Sequence, residues 1–187
     1  MIDPGMMTDS EKDMITSFID GNNLILKHLL LTHCHVDHAC SARWLATKYD
    51  VKVEAGVKEI ELAAQMPAQG ARFGLKIDMT PLTIDHFLSE NDIIELGGEE
   101  IRVLETPGHS PGSLSFYCPD SSLVLTGDVV FQSSIGRTDL PGGSFQVLME
   151  SINSKILTLP DDTVIASGHG DTTTVGDEKV YNPFLII

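Results

Sequence analysis

Three histidines and an aspartate fall within six residues, at His33-Cys34-His35-Val36-Asp37-His38. Imidazole nitrogens and carboxylate oxygens are the donors that zinc and related divalent ions take. So many polar groups beside an apolar run are costly to bury unless they are paired or bound to metal. His109 sits in Thr106-Pro107-Gly108-His109-Ser110-Pro111-Gly112, and His169 in Ser167-Gly168-His169-Gly170. Asp128 closes Thr126-Gly127-Asp128. His33, His35, Asp37, His38, His109, Asp128 and His169 are therefore candidate metal ligands. His28 and His86 stand alone and read as ordinary hydrogen-bonding residues.

Elements must bring these groups together. The apolar run 25–32 predicts a buried strand leading into the first motif. An extended chain past Thr32 repeats its side chains every second residue, so His33 and His35 share a side. A helix predicted over 37–49 puts Asp37 and His38 at its start. Further helices are predicted over 10–20, 57–66 and 144–157, the first capped by Asp9 or Ser10 and the last by Ser144. Short strands are predicted over 51–54, 92–96, 100–106, 113–118, 123–126 and 163–166. Gly97-Gly98 and Pro119-Asp120 read as hairpin turns. Residues 67–81 read mostly as loop, and the tail from 179 as short and apolar. His109, Asp128 and His169 each follow a strand and sit beside small residues. Irregular alternation around a β-meander suits an α+β domain of two sheets packed face to face with helices outside, spanning 1–187 as one unit.

Composition narrows the function. The net charge of −15 repels phosphate backbones and anionic lipid, which argues against nucleic-acid and membrane partners. No apolar run reaches the ~18 residues of a membrane span, and Met1-Ile2-Asp3-Pro4-Gly5 lacks the basic and apolar regions of a leader. A cytoplasmic location is expected. Cys34, Cys40 and Cys118 make an odd set, which favours reduced thiols. Cys34 and Cys40 flank the histidine cluster but lack the paired spacing of a thiolate site.

The pattern His33-x-His35-x-Asp37-His38, then His109, Asp128 and His169, resembles the metallo-β-lactamase superfamily. The phrases Thr106-Pro-Gly-His-Ser-Pro-Gly-Ser113, Thr126-Gly-Asp128, Gly136-Arg-Thr-Asp-Leu-Pro-Gly-Gly143 and Gly168-His-Gly170 resemble its glyoxalase II-like (hydroxyacylglutathione hydrolase-like) branch. The resemblance covers nearly the whole chain. It implies a four-layer αββα sandwich. It also implies one metal held by His33, His35 and His109, a second by Asp37, His38 and His169, and a bridging Asp128. In the family, strands precede the turn that here is Asp3-Pro4-Gly5. The sandwich is thus expected to lack its first N-terminal strands, and an uncovered sheet edge favours pairing with a second copy as a homodimer. With few residues after His169, the helical domain with which full-length glyoxalase II enzymes bind glutathione is not expected here, nor its recognition of glutathione.

The activity implied is hydrolysis of a small-molecule thioester by a metal-bound hydroxide. The cofactor is a pair of divalent ions, zinc for preference, with iron also compatible. Asp37 and Asp128 act at the reacting centre, and Arg137 either grips a substrate carboxylate or bridges loops through Asp139. The main alternative is a mononuclear iron persulfide dioxygenase, with His33, His109 and Asp128 as a two-histidine-one-carboxylate triad. His38 and His169 weigh against it by completing a second site. A lactonase or β-lactamase would use the same chemistry, a nuclease fits the acidic chain poorly, and a metal-binding remnant without turnover is the non-enzyme reading.

Overall fold

The computed structural model describes residues 1–75 and 80–185, and the chain divides into two compact units, Met1–Phe87 and Leu88–Ile187. The first begins with helix α1 (Asp9–Gly21). Its cap is Thr8 rather than the expected Asp9 or Ser10, because the Thr8 hydroxyl accepts from Glu11 N–H while Glu11 Oε2 accepts from Thr8 N–H. The strand expected over 25–32 shrinks to β1 (Leu29–Leu30), the stretch that β2 (Val53–Gly56) pairs with in parallel. Ile25 is 80% exposed and has no core to join. The third strand of this sheet is β3 (His86–Leu88), next to β2.

The helix expected over 37–49 is two helices, α2 (Val36–Ala39) and α3 (Ala42–Tyr49). The break has a local cause: Ser41 donates its N–H to Pro4 O and its hydroxyl to Met6 O, instead of continuing the helical ladder. Gly5 is required at this crossing, since a Cβ there would lie 1.9 Å from Asp37 O. The helix expected over 57–66 is a 3-10 turn (Val57–Glu59) followed by α4 (Ile60–Ala64). The loop expected over 67–81 begins instead as α5 (Met66–Arg72), with Pro67 in its first turn, where a missing N–H costs nothing. The rest of that loop runs through residues 76–79, outside the described residues. Leu29, Leu31, Val36, Leu45 and Val53 head the core of this unit.

The second unit is built on a six-stranded sheet. Its strands are β4 (Ile93–Leu96), β5 (Glu99–Glu105), β6 (Leu114–Cys118), β7 (Leu123–Gly127), β10 (Val164–Ser167) and β11 (Thr173–Thr174), in the order β11-β10-β7-β6-β5-β4. The meander β4 to β7 is antiparallel, and β10 joins β7 in parallel. Gly97 and Gly98 both hold positive φ (65° and 95°), the geometry of a two-residue hairpin. A short hairpin, β8 (Val130–Phe131) with β9 (Ser134–Ile135), follows Asp128. Ser144 caps α6 (Phe145–Ser151) as expected, and the helix continues as a π-helical turn over Ile152–Ile156. The stretch before the tail, to which no element was assigned, forms α7 (Val175–Tyr181), which runs into the short tail expected from 179 and is capped by Thr174, whose hydroxyl accepts from Asp177 N–H. Val124, Leu148, Ile152, Ile156 and Ile165 form this unit's core. None of the three cysteines is bridged, and among the described residues no helix is long and apolar enough to cross a membrane.

Candidate metal centre

The seven candidate ligands divide four to the first unit and three to the second. In the first, the chain leaves β1 extended and carries His33 and His35 before α2 begins at Val36, with Asp37 and His38 in its first turn. The expected sidedness holds: the rings of His33 and His35 meet edge to face with centroids 4.8 Å apart, and those of His33 and His38 lie 4.2 Å apart. His38 Nε2 is 3.9 Å from an oxygen of Asp37, whose side chain is 41% exposed.

Asp3 organises this group, and the sequence reading treated it only as part of a turn. Its Oδ1 accepts the Thr32 N–H at 2.7 Å, and its Oδ2 accepts both the Thr32 hydroxyl at 2.6 Å and His38 Nδ1 at 2.9 Å. A carboxylate only accepts, so the His38 proton sits on Nδ1 and the ring's lone pair falls on Nε2. The Thr32 hydroxyl has spent its proton on Asp3. It therefore accepts from His33 Nδ1 at 3.0 Å, which fixes the same tautomer there. Asp3, His33 and His38 have donor atoms within 4.8 Å of one another. The oxygens of Asp3 accept from Thr32 and His38, an arrangement that suits orienting the candidate ligands. Asp3 holds a left-handed backbone at φ 47°, an uncommon conformation for a residue with a side chain.

In the second unit Asp128 stands between two imidazoles, with Oδ2 3.6 Å from His109 Nε2 and 3.8 Å from His169 Nε2. These separations are long for hydrogen bonds. Each pair has the spacing of two donors on a common ion, since donors ~2.1 Å from a tetrahedral centre lie roughly 3.4 Å apart. His109 Nδ1 donates to Arg137 O at 2.8 Å, so its Nε2 also carries a lone pair, facing Asp128. Gly136 is packed beneath both groups: a Cβ there would lie 1.9 Å from Asp128 O and 3.4 Å from His109 Cβ. Gly108, at φ 134°, approaches the Leu148 backbone so closely that a Cβ would meet it at 2.3 Å. His169 is exposed, at the turn after β10, and lies against the Phe131 ring with centroids 6.5 Å apart.

The remaining candidates fall into place. The Arg137 guanidinium forms a bidentate pair with Asp139 at 2.7 and 2.8 Å. Those hydrogen bonds, with the Arg137 charge, hold the Asp139 carboxyl down at about 2. Cys34 is buried, and burial pushes its thiol well up, which disfavours the thiolate a metal would need. Cys40 donates its thiol to Met6 O at 3.4 Å. His28 and His86 flank the buried Glu54, with Nδ1 2.7 and 2.9 Å from its two oxygens, as hydrogen-bonding residues.

The sequence profile of the metallo-beta-lactamase superfamily matches residues 1–169. The chain belongs to that superfamily. It is 40% identical over 186 residues to hydroxyacylglutathione hydrolase GloC of Haemophilus influenzae, covering 99% of this chain and 86% of the relative. Among solved structures it is similar to TTHA1623 in a di-iron-bound form, with 36% identity, a TM-score of 0.86, and 98% and 88% of the two chains covered. It is similar also to BLEG-1 B3 metallo-beta-lactamase, with 38% identity, a TM-score of 0.84, and 98% and 87% covered. The mixed α/β architecture expected of a superfamily member is present, with helices and a sheet in each unit. The donor set fits the chemistry as well: imidazole and carboxylate groups, with His33, His38 and His109 each turned to offer Nε2.

Proposed function

We propose that this superfamily member is a metal-dependent thioesterase of the glyoxalase II-like kind, acting on a small-molecule thioester. The observation that carries this reading is the likeness to a hydroxyacylglutathione hydrolase along nearly the whole chain. In this reading His33, His35 and His109 would hold one divalent ion and Asp37, His38 and His169 a second, with Asp128 contributing its carboxylate to the centre. Zinc fits these donors, and the di-iron relative keeps iron in view. Bound ions would polarise the thioester carbonyl and make water acidic enough to attack at neutral pH.

The chain's own residues supply the rest. Asp3 and Thr32, and the Arg137 carbonyl, keep the ligand imidazoles in one tautomer. Asp37 and Asp128 would bring negative charge to the centre, and the partly exposed Asp37 would orient the attacking water and take its proton. The water oxygen bonds to the acyl carbon, the carbon–sulfur bond breaks, and the sulfur leaves as a thiolate that needs no dedicated acid. Arg137 would grip a substrate carboxylate by exchanging it for Asp139.

Metal content measured beside a panel of thioesters, lactones and persulfides tests the proposal. Two ions per chain with thioester cleavage is the expected result. One iron per chain with oxygen uptake on persulfides would replace it with the dioxygenase, and bound metal without turnover with the remnant.

A further inference from the structure

The segment Thr32 to Val36 belongs to no helix or strand until α2 starts, yet much of its backbone is buried. Buried N–H and C=O groups must find partners. Here they find them in side chains from distant parts of the first unit. Thr32 N–H goes to Asp3, Cys34 N–H to Glu59 Oε2 at 2.7 Å, and Val36 N–H to Gln69 Oε1 at 3.1 Å. Gln69 Nε2 in turn donates to Cys34 O at 3.2 Å and to Leu62 O at 3.0 Å, which ties the segment to α4. Glu59, at the end of the 3-10 turn, is fully buried.

The arrangement has a period of two. Residues 32, 34 and 36 are fastened by their backbones, and residues 33 and 35 between them present the imidazoles. Gln69 does a second job, because Val36 N–H is one of the donors that a helix start leaves without an internal partner. That helix has only four residues and carries Asp37 and His38. Its cap position, His35, makes no side-chain capping bond.

We propose that Glu59 and Gln69 are positioning residues of the metal centre, a two-point clamp that sets the direction of His33 and His35 and the start of α2. Neither touches metal or substrate. The inference rests on the metal-centre part of the proposed function and is independent of which substrate is cleaved. The carboxylate at 59 accepts the Cys34 amide, and Gln, whose carbonyl oxygen can accept the same bond, is its conservative replacement. An amide at 69 is both donor and acceptor, and Met of similar length removes both roles.

The test is zinc affinity of the purified full chain by competition with a chromophoric chelator, read beside melting of the metal-free protein and amide exchange at Cys34 and Val36. Gln69→Met should lower zinc affinity about 10–100-fold, the usual cost of losing a group behind a ligand, and speed exchange at both amides. Glu59→Met should do the same at Cys34, and Glu59→Gln should recover affinity to within about threefold of the parent. Val103→Ala, a core change in the second unit, should lower melting without moving affinity. Should Glu59→Met not fold, Gln69→Met still decides. Gln69→Met binding zinc as tightly as the parent would overturn the clamp, as would a parent that takes up no metal. A parent that binds zinc but cleaves no thioester, with affinity lost in Gln69→Met, leaves the clamp standing and removes only the substrate assignment.

Discussion

The two ligand-bearing regions solve one problem in opposite ways. In the first unit, four candidate ligands crowd into six residues, and local chain geometry cannot aim them all. Their backbone is fastened from outside by Asp3, Glu59 and Gln69. In the second unit, His109, Asp128 and His169 lie far apart in sequence, and neighbouring strands carry Asp128 and His169 into range. There the positioning is done by backbone: Arg137 O holds His109, Gly168 N–H bonds to Gly127 O at 2.8 Å, and glycines permit close packing. A dense motif needs polar side-chain anchors, whereas a dispersed one needs register and room.

The largest expected effect strikes the dispersed set at its centre. Asp128→Ala removes the only carboxylate between His109 and His169 among the described residues. Metal content and thioester turnover should fall together, turnover by more than the ~100-fold that losing an outer partner costs. Full activity with stoichiometric metal would remove Asp128 from the centre. Gly136→Ala comes next and probes room rather than charge. Its new Cβ collides with Asp128 O, so the backbone must move; a loss of about 2–3 kcal/mol in chemical unfolding is expected. Unchanged stability would show that the packing beneath Asp128 can yield.

The dense set should respond to a change of one atom type. Asp3→Asn keeps an oxygen for the Thr32 N–H but can turn an amide N–H toward His38 Nδ1, which opposes the tautomer with its proton on Nδ1. Zinc affinity should drop about 10–100-fold with little change in melting. Parent-like affinity would mean that Asp3 serves the fold alone. No equivalent single-atom change exists for His109, whose partner is a main-chain carbonyl.

This contrast also explains what the sequence made legible. The ligand types announce themselves, because clustered histidines and aspartates at strand ends have few structural uses. Their anchors do not. Glu59 and Gln69 fall where an amphipathic helix and a loop were expected, and acidic or amide residues there look like solvent-facing ones; only the tertiary structure reveals Glu59 as buried. Asp3 lies 35 positions from His38, a pairing no local pattern encodes. Strand positions in the meander were legible because Gly, Pro, Asp and Ser separate them, and burial then alternates within β5, with Ile101 and Val103 buried and Glu100 and Arg102 exposed. Helix 37–49 was overextended because the competing partner of Ser41 comes from residues 4–6. Helix α7 did have a local signal, Thr174 followed three residues later by Asp177, in a stretch to which no element was assigned. Its Glu178 is buried and accepts from Ser133 N–H and the Thr173 hydroxyl, which ties the helix to the β8–β9 turn.

The smallest expected effect concerns the exposed rim of the second unit, where Arg137 and Asp139 pair in open solvent. The hydrogen bonds from Arg137 depress the Asp139 carboxyl to about 2 from an ordinary 3.8. A depressed carboxyl stabilises the folded state above its unfolded value and loses that contribution as pH falls toward 2. At neutral pH the pair is therefore intact, and its exposure keeps its effect on stability small. Carboxyl titration by NMR should give a midpoint near 2 for Asp139 in the parent, returning toward 3.8 in Arg137→Ala. The same variant separates the two roles of this residue. The Arg137 carbonyl that holds His109 survives the substitution, so zinc affinity should stay unchanged. If Arg137 grips a substrate carboxylate, KM for acidic thioesters should rise while kcat for neutral ones holds. Equal kinetics on both classes would leave the guanidinium as no more than the partner of Asp139.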